Sequence, residues 1–239
     1  MSSVNFLEWD SHFFKRNIGR SRLICGSTVE LQEIYDSINI QNLDLVYLYS
    51  KENLSSGINN FFSEQMMSYY PAICFEIDIE GELSFLSHND SVHLYKGENH
   101  ELYELAYLAG NKSRFSSDSR FSVQEFEALY RTWIDNSRNG IMGHEILVYK
   151  EEEDIIGFLT VKVNGTESAK IGLISTKKDH QGKGIGSKLM EKLFHLLKSK
   201  NITKVFVDTQ LENNQAIKFY KNLGFRINKI DHLFHLWIE

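Results

Sequence analysis

The sequence predicts an α/β protein in two parts, a small N-terminal α/β region over residues 1–90 and a larger α/β domain over residues 91–239, the first packed on the second. Three observations lead there. Strand-like and helix-like apolar patterns alternate along the whole chain, the order that builds layered α/β folds. A glycine-rich run, Gln181-Gly182-Lys183-Gly184-Ile185-Gly186-Ser187, joins an apolar strand pattern (Ile171 to Thr176) to a helical one (Leu189, Met190, Leu193, Phe194, Leu197). No stretch has the composition of a flexible tether: residues 81–91 are only mildly loop-like, so the two halves are expected to pack against each other.

In the first half, Val4 to Trp9 and Ser21 to Cys25 read as strands, and Leu31, Ile34, Tyr35 and Ile38 share a helical face. Residues 43–49 are apolar and β-branched or aromatic enough for a buried strand. Residues 60–70 carry Phe61, Phe62, Met66 and Met67 at helical spacing and stop before Pro71, the only proline, whose ring disfavours a helical residue ahead of it. Ile73 to Ile79 then alternates apolar with acidic residues, the period of a strand with one wet face.

The second half opens with a short strand pattern, Val92 to Lys96, and a helical run from Glu101 to Gly110. A polar stretch, 111–120, precedes a helix from Val123 to Asn136, for which Ser122 and Glu125 form a capping box. Two strands, His144 to Lys150 and Ile155 to Val163, flank the acidic turn 151–154. The central strand, the glycine turn and its helix to about Lys200 follow, then a strand from Lys204 to Thr209, a helix from Asn214 to Leu223 and a last strand from Phe225 to Ile238.

A net charge of −6 argues against a general nucleic-acid or anionic-membrane binder, whose surface gains from being basic. Charge is unevenly spread, however: from Lys170 to Lys204 there are nine lysines against Asp179 and Glu191, a local excess of seven around the glycine turn. Cys25 and Cys74 stand far apart and outside any CxxC pair, which reads as two buried thiols and gives no metal site. Glu8 and Asp10 occupy the place of an apolar signal core and no run of about 18 apolar residues exists, so the expected location is cytoplasmic.

The glycine turn aligns backbone N–H groups with the positive end of a helix dipole, an arrangement suited to phosphate. It is not a dinucleotide fingerprint. Its glycines are spaced GxGxG, and Thr203 to Phe206 stand where the ribose-binding acid belongs. A GxxxxGK run followed by Ser or Thr is also missing.

The pattern that fits is QxxGxG/A, here Gln181, Gly184 and Gly186, followed by Asn213-x-x-Ala216-x-x-x-Tyr220-x-x-x-Gly224-Phe225. It resembles the GCN5-related N-acetyltransferase (GNAT) superfamily over roughly residues 92–239. The resemblance implies a GNAT fold, a mixed, splayed central sheet flanked by helices, with acetyl-CoA as cosubstrate and no metal. It places the coenzyme pyrophosphate on Gln181, Gly182, Lys183, Gly184, Ile185, Gly186 and Ser187, pantetheine contacts on Thr176 and Asn213, and the thioester-polarising amide on Ile174. Tyr220 falls where that superfamily often carries the acid that protonates the departing thiolate; packing of its helix on the sheet is the other role open to it. Asn213 is equally suited to capping that helix. The base that several members place two or four residues before the oxyanion amide is absent, since those positions are Gly172 and Lys170; a carboxylate or His acting through water, with His144, Glu145 and Asp118 as candidates, and an amine arriving neutral from solvent are the routes left open.

Outside the coenzyme site, Ser113-Arg114-Phe115, Phe126, Tyr130, Trp133-Ile134-Asp135-Asn136, Leu236-Trp237 and the opening Leu7-Glu8-Trp9-Asp10-Ser11-x-Phe13-Phe14 look similar to the bacterial dTDP-fucosamine N-acetyltransferases. The implied acceptor is a small molecule, a dTDP- or UDP-linked amino sugar, with Arg114, Phe115 and Arg120 as substrate-binding candidates and a homodimer as candidate assembly. Anchoring of the 111–120 loop is the other role open to those arginines. The chain departs from that group in a longer lead into the turn, Lys177-Lys178-Asp179-His180-Gln181. Two alternatives stand beside this reading: acetylation of another amine (a polyamine, an antibiotic or a protein N-terminus), and a non-catalytic acyl-CoA-binding module.

Overall fold

A computed structural model describes residues 4–79, 91–138 and 144–238. The chain enters as strand β1 (Asn5–Phe6), helix α1 (Glu8–Phe14), β2 (Ile18–Arg22), α2 (Thr28–Gln41), β3 (Leu45–Ser50), α3 (Ser55–Phe61), β4 (Met67–Tyr69) and β5 (Ala72–Asp78). It continues through β6 (Val92–Leu94), α4 (Tyr103–Gly110), α5 (Arg114–Ser117), α6 (Val123–Arg138), β7 (His144–Glu151), β8 (Asp154–Asn164) and β9 (Ser168–Thr176). It closes with α7 (Ile185–Ser199), β10 (Lys204–Gln210), α8 (Asn214–Asn222) and β11 (Arg226–Trp237). By internal contacts the chain divides into two compact units: residues 1–73 with 210–212 and 229–239, and residues 74–209 with 213–228. The loop-like stretch read at 81–91 lies, up to residue 90, outside the described residues.

In the first unit β2 and β3 run parallel on either side of the α2 crossover, Ile18 level with Leu45. Strand β11 pairs antiparallel with β3 (His232↔Ser50 to Trp237↔Leu45), and its other edge takes β4 (Phe234↔Tyr69). Leu31, Ile34 and Ile38 of α2 bury against Val46, Leu48, Phe234 and Leu236, the helical face the sequence marks. Ser27 caps α2 by accepting from Glu30 N at 3.3 Å. The Glu30 carboxylate in turn accepts from Ile24 N (2.8 Å), Cys25 N (3.1 Å) and Gly26 N (2.7 Å).

Three sequence expectations change here. Residues 8–14 are helical rather than a strand's end, with Lys15 closing α1 at φ 55°. The helix expected at 60–70 ends at Phe61; Ser63 caps a 3₁₀ turn at Glu64–Met66 and Met67–Tyr69 becomes strand, because β11 supplies a ladder that outweighs helical spacing. Cys25 is exposed, while Cys74 is buried as expected.

In the second unit the strand order is β5-β10-β9-β8-β7-β6. β9 and β10 are parallel, while the β9–β8, β8–β7 and β7–β6 pairs are antiparallel. Ser175 Oγ donates to the Leu105 carbonyl of α4 at 2.7 Å. An added Cβ at Gly157 would lie 3.3 Å from Thr176 Oγ1 and 3.1 Å from Ile185 of α7. Neighbouring strand residues point to opposite faces, so α4 and α7 cover opposite faces of this sheet. The capping box at α6 is present, Glu125 N donating to Ser122 Oγ (3.2 Å) and Ser122 N to the Glu125 carboxylate (2.7 Å).

A bulge interrupts β9. Leu159 is level with Ile174 but Val161 with Ile171, so Gly172 and Leu173 together face Thr160. Leu173 N finds the Thr160 hydroxyl, fully buried, at 2.9 Å in place of a ladder carbonyl. Thr160→Val leaves that buried N–H without an acceptor, so urea unfolding is expected to show a loss of about 1–3 kcal/mol. A smaller change would mean that the bulge holds without the hydroxyl.

Candidate functional site

The site grows from the point where two parallel strands part. β9 and β10 stay in register from Ser168↔Lys204 to Ile171↔Val207; beyond that pair their ladder ends, although β9 runs on to Thr176 and β10 to Gln210. Leu173 N and Lys177 N both turn toward β8, onto Thr160 Oγ1 and Ile156 O. Strand alternation then aims the amides of Ile174 and Thr176 the other way, into the gap. Among the described residues no strand lines β9 on that side past Ile171. Such an edge is open to an extended ligand that adds itself as a strand.

At the end of β9 the chain makes a 3₁₀ turn (Lys178–His180) and enters the glycine run. Gly182 and Gly184 hold φ at 77° and 79°, left-handed values that side chains resist, and Gly184 is the N-cap of α7. The first intrahelical bond runs from Lys188 N to Gly184 O, so the amides of Ile185, Gly186 and Ser187 have no partner within the helix. No acidic side chain occupies that first turn and no side chain caps it. Gly186 serves packing: its Cβ would come within 3.1 Å of the Phe219 ring.

Gln181 braces this turn. Its Nε2 donates to Thr176 O at 3.4 Å and its Oε1 accepts from Gln215 Nε2 of α8 at 3.3 Å. Lys183 is exposed beside it. His180 stands 2.9 Å from Asp179, whose carboxyl it holds below the usual range, and 3.6 Å from Glu151. Lys188 lies 3.3 Å from the Tyr149 hydroxyl with its charge over that ring.

Asn213 caps α8: its Oδ1 accepts from Ala216 N and its Nδ2 donates to Thr209 Oγ1, both at 3.2 Å. Tyr220, one helix face further on, is 3% exposed among Phe75, Phe219 and Phe225 with ring centroids 5.8, 5.3 and 5.5 Å away. Its hydroxyl makes no hydrogen bond to the described residues. Burial first, and then the negative charge of Asp208, push its pKa above the ordinary phenol value.

The substrate candidates form a separate group. Arg114 lies on α5 with its guanidinium 4.3 Å from the Phe115 ring centroid, and Phe115 meets Phe121 edge-on at 5.2 Å. Arg120 is exposed, and its N–H donates to the buried Asp118 at 3.1 Å. Two candidate bases are thereby committed elsewhere: Asp118 shapes the loop, and Glu145 pairs with Lys200 at 2.5 Å. The His144 side chain lies outside what is described. Sequence reasoning did not single out Asp208, which takes Lys170 Nζ at 2.5 Å where the strands part. An acidic residue on the wet face of a strand carries no signal of its own; the register with β9 gives it meaning.

The model of the Acetyltransferase (GNAT) family matches residues 101–225. Among curated proteins, the chain is 27% identical over 141 residues to a spore coat polysaccharide biosynthesis protein, SpsD, of Bacillus subtilis, covering 59% of this chain and 48% of that one. It is 26% identical over 153 residues to the dTDP-fucosamine acetyltransferase of Escherichia coli, covering 64% of this chain and 65% of that one. The matched stretch thus spans about half to two thirds of these relatives. Among solved structures, a functionally unknown conserved protein from Staphylococcus epidermidis aligns with TM-score 0.69 at 13% identity over 93% of this chain and 85% of that one. A GCN5-related N-acetyltransferase from Sphaerobacter thermophilus aligns with TM-score 0.61 at 12% identity over 97% and 75%. At such identities the likeness shows the fold.

Proposed function

The chain belongs to the Acetyltransferase (GNAT) family, and we propose that it moves acetyl from acetyl-CoA to the amine of a nucleotide-linked amino sugar by direct attack. The observation that carries this reading is the parting of β9 from β10 after Ile171↔Val207, beside a helix start with no internal anion. The pyrophosphate of the coenzyme lies on the amides of 182–187, with Lys183 and Ser187 at its rim. The pantetheine arm extends along β9 through the backbone of Thr176. Asn213 acts through α8, whose first turn it holds.

In the reaction the amine nitrogen bonds to the thioester carbon and the carbonyl oxygen becomes an oxyanion held by Ile174 N–H. One such donor is worth about 3 kcal/mol. The C–S bond then breaks, the sulfur takes the Tyr220 proton, and the surplus proton on the new amide nitrogen passes to the Tyr220 phenolate, which restores the phenol. On ordinary values phenol and thiol lie about 1.5 units apart, roughly 2 kcal/mol uphill. The burial that raises Tyr220 raises a thiolate expelled into the same space, so the gap does not widen in proportion. An acyl-enzyme is unnecessary.

The amino-sugar acceptor is supported by the relatives named for dTDP-fucosamine and for spore coat polysaccharide. Arg114, Phe115 and Arg120 are proposed to hold its nucleotide, the guanidinium over an aromatic ring offering both charge and a flat face. In thermal-shift titrations, coenzyme A and dTDP are each expected to raise Tm as ligands of the folded state. Acetyl-CoA with dTDP-4-amino-4,6-dideoxygalactose is expected to yield the N-acetyl product by mass spectrometry. Turnover on spermidine but on no amino sugar would replace the acceptor; coenzyme binding with no turnover would mark a binding module.

A further inference from the structure

Resting on the acetyl-transfer reading, we propose that Asp208 is the anionic anchor for the acceptor's protonated amine and that Lys170 occupies this anchor until the acceptor arrives. Val207 is the last β10 residue in register with β9, so Asp208 is the first side chain past the parting, and the next β9 residue, Gly172, carries no side chain. Alternation sets it on the face of Lys204 and Phe206, away from the buried Val205 and Val207. The next polar side chain on that wall, Thr209, is engaged with Asn213. Asp208 is therefore the charged group on the β10 wall of the gap into which Ile174 aims its amide.

Lys170 shows what this carboxylate receives. Its ammonium meets Asp208 at 2.5 Å, and the two side chains are 46% and 48% exposed. An ion pair so open to water is held weakly and exchanges readily. A primary amine near the usual lysine pKa of about 10 is mostly protonated at neutral pH, so the acceptor arrives as the same group: a compact ammonium with three N–H donors. The Asp208 charge also reaches Tyr220, which sets the anchor within electrostatic range of the proposed proton donor. An incoming ammonium would take Lys170's place and bring the nitrogen to the mouth of the gap, where it gives one proton to solvent water before it attacks, and the loosened Lys170 turns to solvent.

The test uses the full chain with acetyl-CoA and two probe acceptors, dTDP-4-amino-4,6-dideoxygalactose and spermidine. Asp208→Asn, which keeps shape and removes charge at an exposed position, is expected to raise acceptor KM about 10-fold or more while acetyl-CoA KM stays within about 2-fold. Lys170→Met removes the internal competitor and is expected to lower acceptor KM by about 2- to 5-fold, a gain that a merely structural pair would not give. An unchanged acceptor KM in Asp208→Asn overturns the anchor, as does a Lys170→Met acceptor KM at or above that of the unaltered protein. If Asp208→Asn fails to fold, the Lys170→Met result decides alone. Turnover by the unaltered protein with both variants unchanged defeats the anchor only; its failure on both amines defeats the acetyl-transfer reading and the anchor together.

Discussion

Tyr220→Phe is expected to lower kcat by roughly 10²- to 10⁴-fold, about 3–5 kcal/mol of transition-state stabilisation, with the coenzyme A dissociation constant unchanged. The substitution is clean because the hydroxyl has no hydrogen bond to a described residue, and the ring keeps its contacts with Phe75, Phe219 and Phe225. Stability should therefore hold while turnover falls. The split is read from steady-state kinetics on one side and calorimetric titration with coenzyme A on the other. An unchanged kcat would remove Tyr220 as the acid and leave it the packing role that its aromatic surroundings also suit.

The second large effect is expected at the helix start. Gly184→Val places a β-branched residue at φ 79°, where nothing lies within 4 Å of the new Cβ, so its cost is purely conformational. That cost is on the order of 1–2 kcal/mol or more, and the turn relieves it by rotating the amides of Ile185 to Ser187 off their common direction. Coenzyme A affinity is expected to fall at least about 30-fold, since the amides act as one cradle. Gly165→Val supplies the control: it too has positive φ, 65°, and open space, but sits in the turn between β8 and β9. It should lower Tm by a similar amount and leave coenzyme affinity untouched. Equal losses of affinity in both variants would mean that the effect is general destabilisation.

Much of the second unit was legible in the sequence because its signals are local. The period of α7, the capping box of α6 and the glycines of the turn each act within a few residues of themselves. Counting from that turn also picks out Ile174 and Tyr220, whose roles remain proposals. What stayed hidden depends on partners far along the chain. β11 reads as a strand from its own pattern, yet nothing in that pattern says that His232 to Trp237 will lie against Leu45 to Ser50. Met67 to Tyr69 has helical neighbours and becomes strand only because β11 offers it a ladder. The ion pair between Lys170 and Asp208 joins residues 38 apart, and it follows from a register that neither segment specifies alone.

The two parallel crossovers differ in one respect with a physical outcome. Before α2 the amides of Ile24, Cys25 and Gly26 are already filled by the carboxylate of Glu30, an anion the chain carries itself. Before α7 the first turn holds no acidic side chain. One helix start is thus neutralised by folding, while the other keeps its electrostatic deficit as a standing affinity for whatever anion reaches it. The protein finishes the first of these helices on its own; the second, on the proposed reading, is finished by the coenzyme.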